Sequence, residues 1–250
     1  MNNTNDLVRL AQRLVIDGPY KTEKTLKRVR GLFNGKYVFD TVNAFYVWEI
    51  PNYPQYYIPA SSFTSGLTKL SPIDRTEGRA HLGQLEVGSH RTNRVVIFNT
   101  ETLKEVVKVD FRALDQWFEE DVPIFCHPKD PYKRIDVLAS SRVIKIGLDG
   151  VTLAETSSSM FLFETSLRTR YYIPPTDVKW ECLEPSDTES LCPYKGKANY
   201  YHVTVNGKQY RDLVWFYRYP TSESALIAGH LCFYNEMVDV WVAGEKEKGS

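Results

Sequence analysis

Two glutamates stand where a carboxylate could carry out acid–base chemistry. Glu49 and Glu164 each follow a short apolar and aromatic run, at residues 45–48 and 160–163. A carboxylate at the end of a buried strand loses solvation, which raises its pKa and suits it to act as a general acid or base. The alternative is that each glutamate pairs with a nearby arginine or caps a backbone turn. The sequence leaves both roles open.

Basic and phenolic side chains follow Glu164 closely. Arg168 and Arg170 are its nearest cationic neighbours, so they are the predicted partners if Glu164 forms an ion pair. In a strand, Arg170 and Tyr172 share one face, where a guanidinium beside a phenol could bind an anionic or carbonyl oxygen. A structural ion pair or cation–π contact is the competing role for Arg170.

A third group of reactive side chains lies in Cys192-Pro193-Tyr194-Lys195-Gly196. Lys195 could lower the pKa of the Cys192 thiol, but no His or Asp lies near in sequence to complete a nucleophilic pair. A Cys in this position is more often a small buried apolar residue. Contact with a ligand anion is therefore the preferred role for Lys195.

Two further segments are candidates for binding a substrate. His127, Tyr132 and Arg134 lie on a proline-rich stretch that could line a cleft, or could be an ordered linker. Trp215 and Tyr217 belong to an aromatic run that could form the wall of an apolar pocket, although a purely structural cluster explains it as well.

An internal repeat organises these residues. Segments 28–63 and 143–178 align without a gap at a constant offset, so that Glu49 falls on Glu164 and Tyr57 on Tyr172. Glu49 and Tyr57 are therefore further candidates for binding the substrate. Further on, residues 81–83 take the place of residues 194–196, with no Cys before them. The chain is therefore predicted to be a tandem of two related modules in which the first has diverged.

The modules are predicted to be mainly β. Asn34-Gly35, Asp149-Gly150 and Asn206-Gly207 favour tight hairpin turns between strand-like segments. Apolar spacing over residues 6–15 predicts an amphipathic helix, and short helices are expected at 112–120 and 222–228. The expected organisation is a helical lead-in at 1–25, a first β module at 26–120, a connector at 121–137 and a second β module at 138–246.

Composition excludes several classes of function. The 250 residues carry 31 basic and 31 acidic side chains, which argues against a nucleic-acid partner, and 13% are aromatic. Phosphate-binding glycine loops, paired cysteines and histidines at metal-ligand spacing do not occur, so neither a metal nor a cofactor is expected. Without a signal-like or membrane-spanning run, a cytoplasmic protein with no membrane partner is expected.

These motifs together resemble the domain of unknown function 427 family, which some collections label nucleotidyltransferase-like. The second module carries the resemblance, in Phe163-Glu164-Thr165, Arg170-Tyr171-Tyr172-Ile173-Pro174 and Cys192-Pro193-Tyr194-Lys195-Gly196. The resemblance implies compact β modules, similar to the β-tent architecture. Because the second module matches the family pattern more fully, any site shared with the family is expected there and not in the first module. The nucleotidyltransferase label itself has no support in the sequence, which lacks a Gly-Ser pair with spaced aspartates to hold metal and triphosphate.

The leading functional hypothesis is a small-molecule enzyme that needs no metal or redox cofactor and acts on an apolar metabolite. Glu164 would be the acid or base, Arg170 and Lys195 would hold a carbonyl or carboxylate, and Tyr172 and Tyr217 would donate hydrogen bonds. Isomerisation, cyclisation, dehydration and hydrolysis all fit such a site. A non-catalytic binding or interaction module is the alternative, and nucleotidyl transfer is the third possibility.

Overall fold

The computed structural model describes residues 4–247, which are mainly β. The first half contains helix α1 (Asn5–Ile16) and strands β1 Lys21–Lys24, β2 Val29–Phe33, β3 Lys36–Thr41, β4 Phe45–Ile50, β5 Tyr53–Pro59, β6 Leu67–Pro72, β7 Ala80–Val87, β8 His90–Phe98, β9 Val106–Val109, β10 Gln116–Glu119 and β11 Val122–Ile124. The second half contains β12 Ile135–Ser140, β13 Ile144–Leu148, β14 Val151–Thr156, β15 Ser159–Glu164, β16 Arg170–Ile173, β17 Leu183–Cys192, β18 Gly196–Val205, β19 Lys208–Pro220, β20 Leu231–Phe233, β21 Asp239–Val242 and β22 Glu245–Lys246. Short 3-10 turns occur at Ala60–Ser62, Phe111–Ala113, Pro175–Asp177, Trp180–Cys182 and Ser222–Ile227. Within residues 4–247, no helix is both long and apolar enough to cross a bilayer.

The two halves have the same topology. Each contains one seven-stranded and one four-stranded antiparallel sheet. The large sheets have the orders β1-β4-β5-β9-β8-β7-β6 and β12-β15-β16-β20-β19-β18-β17. The small sheets, β11-β10-β2-β3 and β22-β21-β13-β14, are equivalent in the same way. The predicted tandem of two mainly β modules with a short N-terminal helix is thus confirmed.

The chain divides into two compact units between Asp130 and Pro131. The segment 1–25 is not a separate lead-in, because β1 pairs with β4 and α1 packs within the first unit. The segment 121–137 is not a free connector either. Its β11 pairs with β10 in the first unit, and its last residues begin β12 in the second.

The predicted hairpin turns form as expected. Asn34 and Gly35 both have positive φ, 47° and 70°, as the type I′ turn requires, and the turns at 149–150 and 206–207 are alike. The helix predicted over 6–15 is present as α1. The helix predicted over 112–120 is wrong. Trp117 is buried there, its ring stacks on Phe111 and its Nε1 donates to the Phe111 carbonyl, while β10 joins the small sheet.

The strand ladder also corrects one correspondence between the modules. In the first large sheet, the row of opposite residues through Tyr57 ends at Leu82 on β7. The row through Tyr172 in the second large sheet ends at Tyr200 on β18. Leu82 therefore matches Tyr200, and residues 81–83 do not take the place of residues 194–196.

Each module buries its main core between its two sheets. In the second module, Ile144 and Ile146 of the small sheet pack with Phe161 and Ile173 of the large one. Because side chains alternate along a strand, the neighbouring positions of the large sheet face the other way. In the first module this outer face is covered by α1, whereas in the second module it surrounds a cavity.

Candidate functional site

A cavity of about 410 Å³ opens on the outer face of the second large sheet. This volume lies within the range of small-molecule sites. Aromatic, basic and acidic side chains share its wall: Leu162, Glu164, Ser166, Leu167, Arg168, Arg170, Tyr172, Lys195, Tyr200, Trp215, Tyr217, Tyr234 and Glu236.

Strand pairing explains why distant residues meet at this cavity. Tyr172 on β16 lies opposite Cys232 on β20, which lies opposite Trp215 on β19, which in turn lies opposite Tyr200 on β18. Residues directly opposite one another in antiparallel strands point to the same face. Six residues singled out from the sequence therefore line one cavity: Glu164, Arg170, Tyr172, Lys195, Trp215 and Tyr217.

Glu164 forms ion pairs with two lysines. Its Oε2 lies 2.5 Å from Lys195 Nζ and its Oε1 lies 3.5 Å from Lys133 Nζ. The three side chains are only 6%, 13% and 7% exposed, for Glu164, Lys195 and Lys133 respectively. The predicted partners Arg168 and Arg170 are wrong. Glu164 instead lies opposite Ile135 at the start of β12, which brings Lys133 beside it.

Arg170 is held by Glu236 in a two-point interaction. The guanidinium donates to both carboxylate oxygens of Glu236, at 2.8 and 2.7 Å, and this lowers the pKa of Glu236 to about 2. Its central carbon also lies 5.3 Å from the ring centre of Trp215 and 5.9 Å from that of Tyr234. Arg170 therefore packs on two aromatic side chains of the cavity wall. Its paired N–H donors are already bound to Glu236.

Arg168 is held much less tightly. Its Nε lies 3.9 Å from Glu236, and within residues 4–247 the guanidinium makes no hydrogen bond. Its side chain is 28% exposed, and it lines both this cavity and a neighbouring one of about 460 Å³. The guanidinium of Arg168 is thus partly exposed at a wall that the two cavities share.

Three phenols of the cavity, those of Tyr172, Tyr217 and Tyr234, carry their protons at neutral pH. Burial raises the pKa of Tyr172 and Tyr217 well above the usual 10, and that of Tyr234 to about 12. The Tyr172 hydroxyl accepts a hydrogen bond of 3.1 Å from Trp215 Nε1. The cavity is consequently rich in hydrogen-bond donors, from phenols, ammonium groups and guanidinium groups.

Three other candidates from the sequence lie elsewhere, since the described cavity lining does not include them. The Arg134 side chain is 80% exposed and pairs with Asp136. Tyr132 is exposed, and His127, in the first unit, meets the ring of Tyr53 edge-on. The proline-rich segment contributes Lys133 to the site instead.

The first module has a glutamate, Glu49, at the position that matches Glu164, but helix α1 covers the corresponding sheet face. Glu49 accepts hydrogen bonds from the Tyr57 hydroxyl at 3.0 Å and from Lys108 Nζ. Lys108 occupies the ladder position that Cys232 holds in the second module. Helix α1 covers this face, packing Leu7, Ala11, Leu14 and Val15 against Val47, Tyr57 and Val96.

The sequence prediction missed several residues of the site, among them Lys133, Tyr200, Tyr234 and Glu236. Each belongs to a segment that only sheet pairing brings to Glu164 or Arg170. For Tyr200, on β18, the alternation of residues along a strand was a usable signal. Lys133 and Tyr234 lie just outside β12 and β20, and Glu236 lies in a turn, so these three had none.

Comparison with known proteins identifies the class. The model for the family described as a domain of unknown function (DUF427) matches residues 21–114 and 136–244, one segment in each module. The chain therefore belongs to this family and is a tandem, two-module member of it. A search of curated proteins found no match. Across residues 4–247, no three His, Cys, Asp or Glu side chains are grouped so as to hold a metal ion.

Proposed function

We propose that the protein is a small-molecule enzyme that works without a metal or redox cofactor, and that the second-module cavity binds and polarises its substrate. The convergence of Lys195, Arg168 and several phenols on one aromatic-walled cavity supports this proposal above all. Donors held in place around a pocket stabilise negative charge that develops on a substrate oxygen.

In this proposal Lys195 is the catalytic residue. Its ammonium group would donate a hydrogen bond to a substrate carbonyl or carboxylate, and so favour isomerisation, cyclisation, dehydration or hydrolysis. Glu164 positions Lys195, because both oxygens of the carboxylate are engaged by lysines. This role differs from the acid or base expected of Glu164 from the sequence alone. Tyr200 and Tyr217 form the apolar wall on which the substrate would lie, since Arg170 already lies over Trp215.

A non-catalytic binding module is the alternative. The same cavity would hold a ligand without changing it, and Glu164 with its two lysines would be a structural ion-pair cluster. The buried position of that cluster favours this alternative, whereas the hydrogen-bond donors beyond it favour catalysis.

Lys195→Met separates the two proposals, with Lys197→Met as a matched control. Lys195 lines the cavity, whereas Lys197 is more than half exposed and pairs with Glu189 at the surface. Wild type and both variants are incubated with extracts of apolar metabolites, and mass spectrometry follows which compounds disappear. We expect turnover to fall by about 10²–10³-fold in Lys195→Met and to be kept in Lys197→Met.

Thermal melting checks that Lys195→Met still folds, which we expect because Glu164 retains Lys133 as a partner. Equal turnover by a folded Lys195→Met variant and wild type would refute the catalytic role of Lys195. Compounds that bind wild type but are never consumed would support the non-catalytic alternative.

A further inference from the structure

We infer that the second-module cavity takes an organic anion with a flat aromatic or conjugated body, and that Arg168 binds the carboxylate of this ligand. This inference rests on the proposed function, since it names the class of molecule that the same cavity binds. Three independent features of the cavity lead to it: the hydrogen-bonding state of Arg168, the balance of charges, and the occupation of the aromatic faces.

The first feature is the hydrogen-bonding state of Arg168. The Arg170 fork is already filled by the two oxygens of Glu236. Arg168 has only the 3.9 Å contact with Glu236, and no acceptor within hydrogen-bonding distance among residues 4–247. A guanidinium offers five N–H donors in a planar fork that matches a carboxylate. An incoming carboxylate would therefore find free hydrogen-bond donors on Arg168, whereas those of Arg170 already bind Glu236.

The second feature is the charge of the cavity. Three of the lining side chains are cationic and two are anionic: Arg168, Arg170 and Lys195 against Glu164 and Glu236. Lys133, which also pairs with Glu164, adds a further positive group next to the lining. A monoanionic ligand would reduce this excess of positive charge, and a cationic ligand would increase it.

The third feature concerns the aromatic walls. Rings arranged around a pocket are often a site for an organic cation. Here the Arg170 guanidinium already lies over Trp215 and Tyr234, at 5.3 and 5.9 Å from the ring centres. Because that cation would repel a second one, the remaining ring surface, which includes Tyr200 and Tyr217, is suited to the apolar part of a ligand.

The first module supports the same assignment by contrast. The positions that match Arg168 and Arg170 in the repeat hold Tyr53 and Gln55, so neither guanidinium is present there. In that module the equivalent face is covered by the apolar side of α1. The pair of arginines thus accompanies the open cavity and is absent from the covered face.

Arg168→Met tests the inference, with Arg134→Met as a control that removes the same charge from an 80% exposed side chain outside the lining. Binding of naphthoate, naphthamide and naphthylmethylammonium to the full chain is measured by calorimetry, because these probes share a ring system and differ in charge. We expect wild type and Arg134→Met to bind naphthoate at least about tenfold more tightly than the other two probes, a difference of about 1.4 kcal/mol. Arg168→Met should lose this preference and still bind the ring.

The possible failures differ in meaning. Equal affinity for naphthoate and naphthamide, or a preference that survives in Arg168→Met, would overturn the anion assignment and leave the small-molecule function standing. Binding of none of the three probes by folded wild type would overturn both.

Discussion

Glu164 is the centre of a buried ion-pair cluster in the second module. Its carboxylate lies between Lys195 and Lys133, and all three side chains are almost fully buried. The charges compensate one another only while the carboxylate is present, since removing it would leave two ammonium groups in a poorly solvated place. At the residue scale, Glu164 therefore supports both folding and the orientation of Lys195.

Glu164→Gln is expected to lower the free energy of unfolding by about 3 kcal/mol, because breaking a buried ion pair leaves uncompensated charge. The matched control is Glu189→Gln, which removes the partner of Lys197 in a surface pair and should cost less than about 1 kcal/mol. Urea unfolding of both variants measures the difference. If Glu164→Gln proved as stable as Glu189→Gln, the buried cluster would not exist as described.

Helix α1 makes the difference between the two modules at the scale of elements. Its apolar side packs on the outer face of the large sheet of the first module. The equivalent face in the second module carries the cavity. The ends of α1 are fixed by polar contacts. Arg94 forms a two-point interaction with Asp6, which lowers the pKa of Asp6 to about 2, and Arg13 donates to the Glu49 carbonyl at 2.8 Å. The helix is thus an integral layer of the first module.

Leu14→Ala should lower the free energy of unfolding by about 3 kcal/mol, because Leu14 is 1% exposed and its loss leaves a cavity under the helix. Leu26→Ala is the control, since Leu26 is 96% exposed and should cost less than about 0.5 kcal/mol. Denaturant unfolding monitored by circular dichroism gives both values. Losses of similar size in the two variants would mean that α1 does not pack on this face.

Local signals predicted part of the fold. The turn dipeptides predicted the hairpins at 34–35, 149–150 and 206–207, and the apolar spacing of residues 6–15 predicted α1. The helix expected over 112–120 failed because the burial of Trp117 and the pairing of β10 with β2 outweigh local helical preference. Nothing local distinguishes those two outcomes.

The site was predictable only in part, for a similar reason. Glu164, Arg170, Tyr172 and Lys195 stood out by type and by the repeat, and they do line one cavity. The ion-pair partners of these residues did not stand out. Lys133 is brought to Glu164 by the pairing of β12 with β15, and Glu236 reaches Arg170 from a turn. Spacing along the chain does not encode such pairs.

At the scale of the whole molecule, the two modules share one topology but differ in what lies on the outer face of the large sheet. Both keep a glutamate and a tyrosine at matching places, Glu49 with Tyr57 and Glu164 with Tyr172. The first module covers this face with a helix, whereas in the second the face lines a cavity whose wall includes two arginines. This difference supports our proposal that the ligand site lies in the second module and that the matching face of the first is structural.

A crystal structure of the full chain with naphthoate tests this central assignment most directly. We predict the ring against Tyr200 and Tyr217 and the carboxylate on Arg168, with α1 still packed on the first module. Naphthoate bound instead in the small first-module cavity of about 210 Å³ that includes Phe45 and Val47 would contradict the proposal. So would a second-module cavity that stays empty at saturating naphthoate.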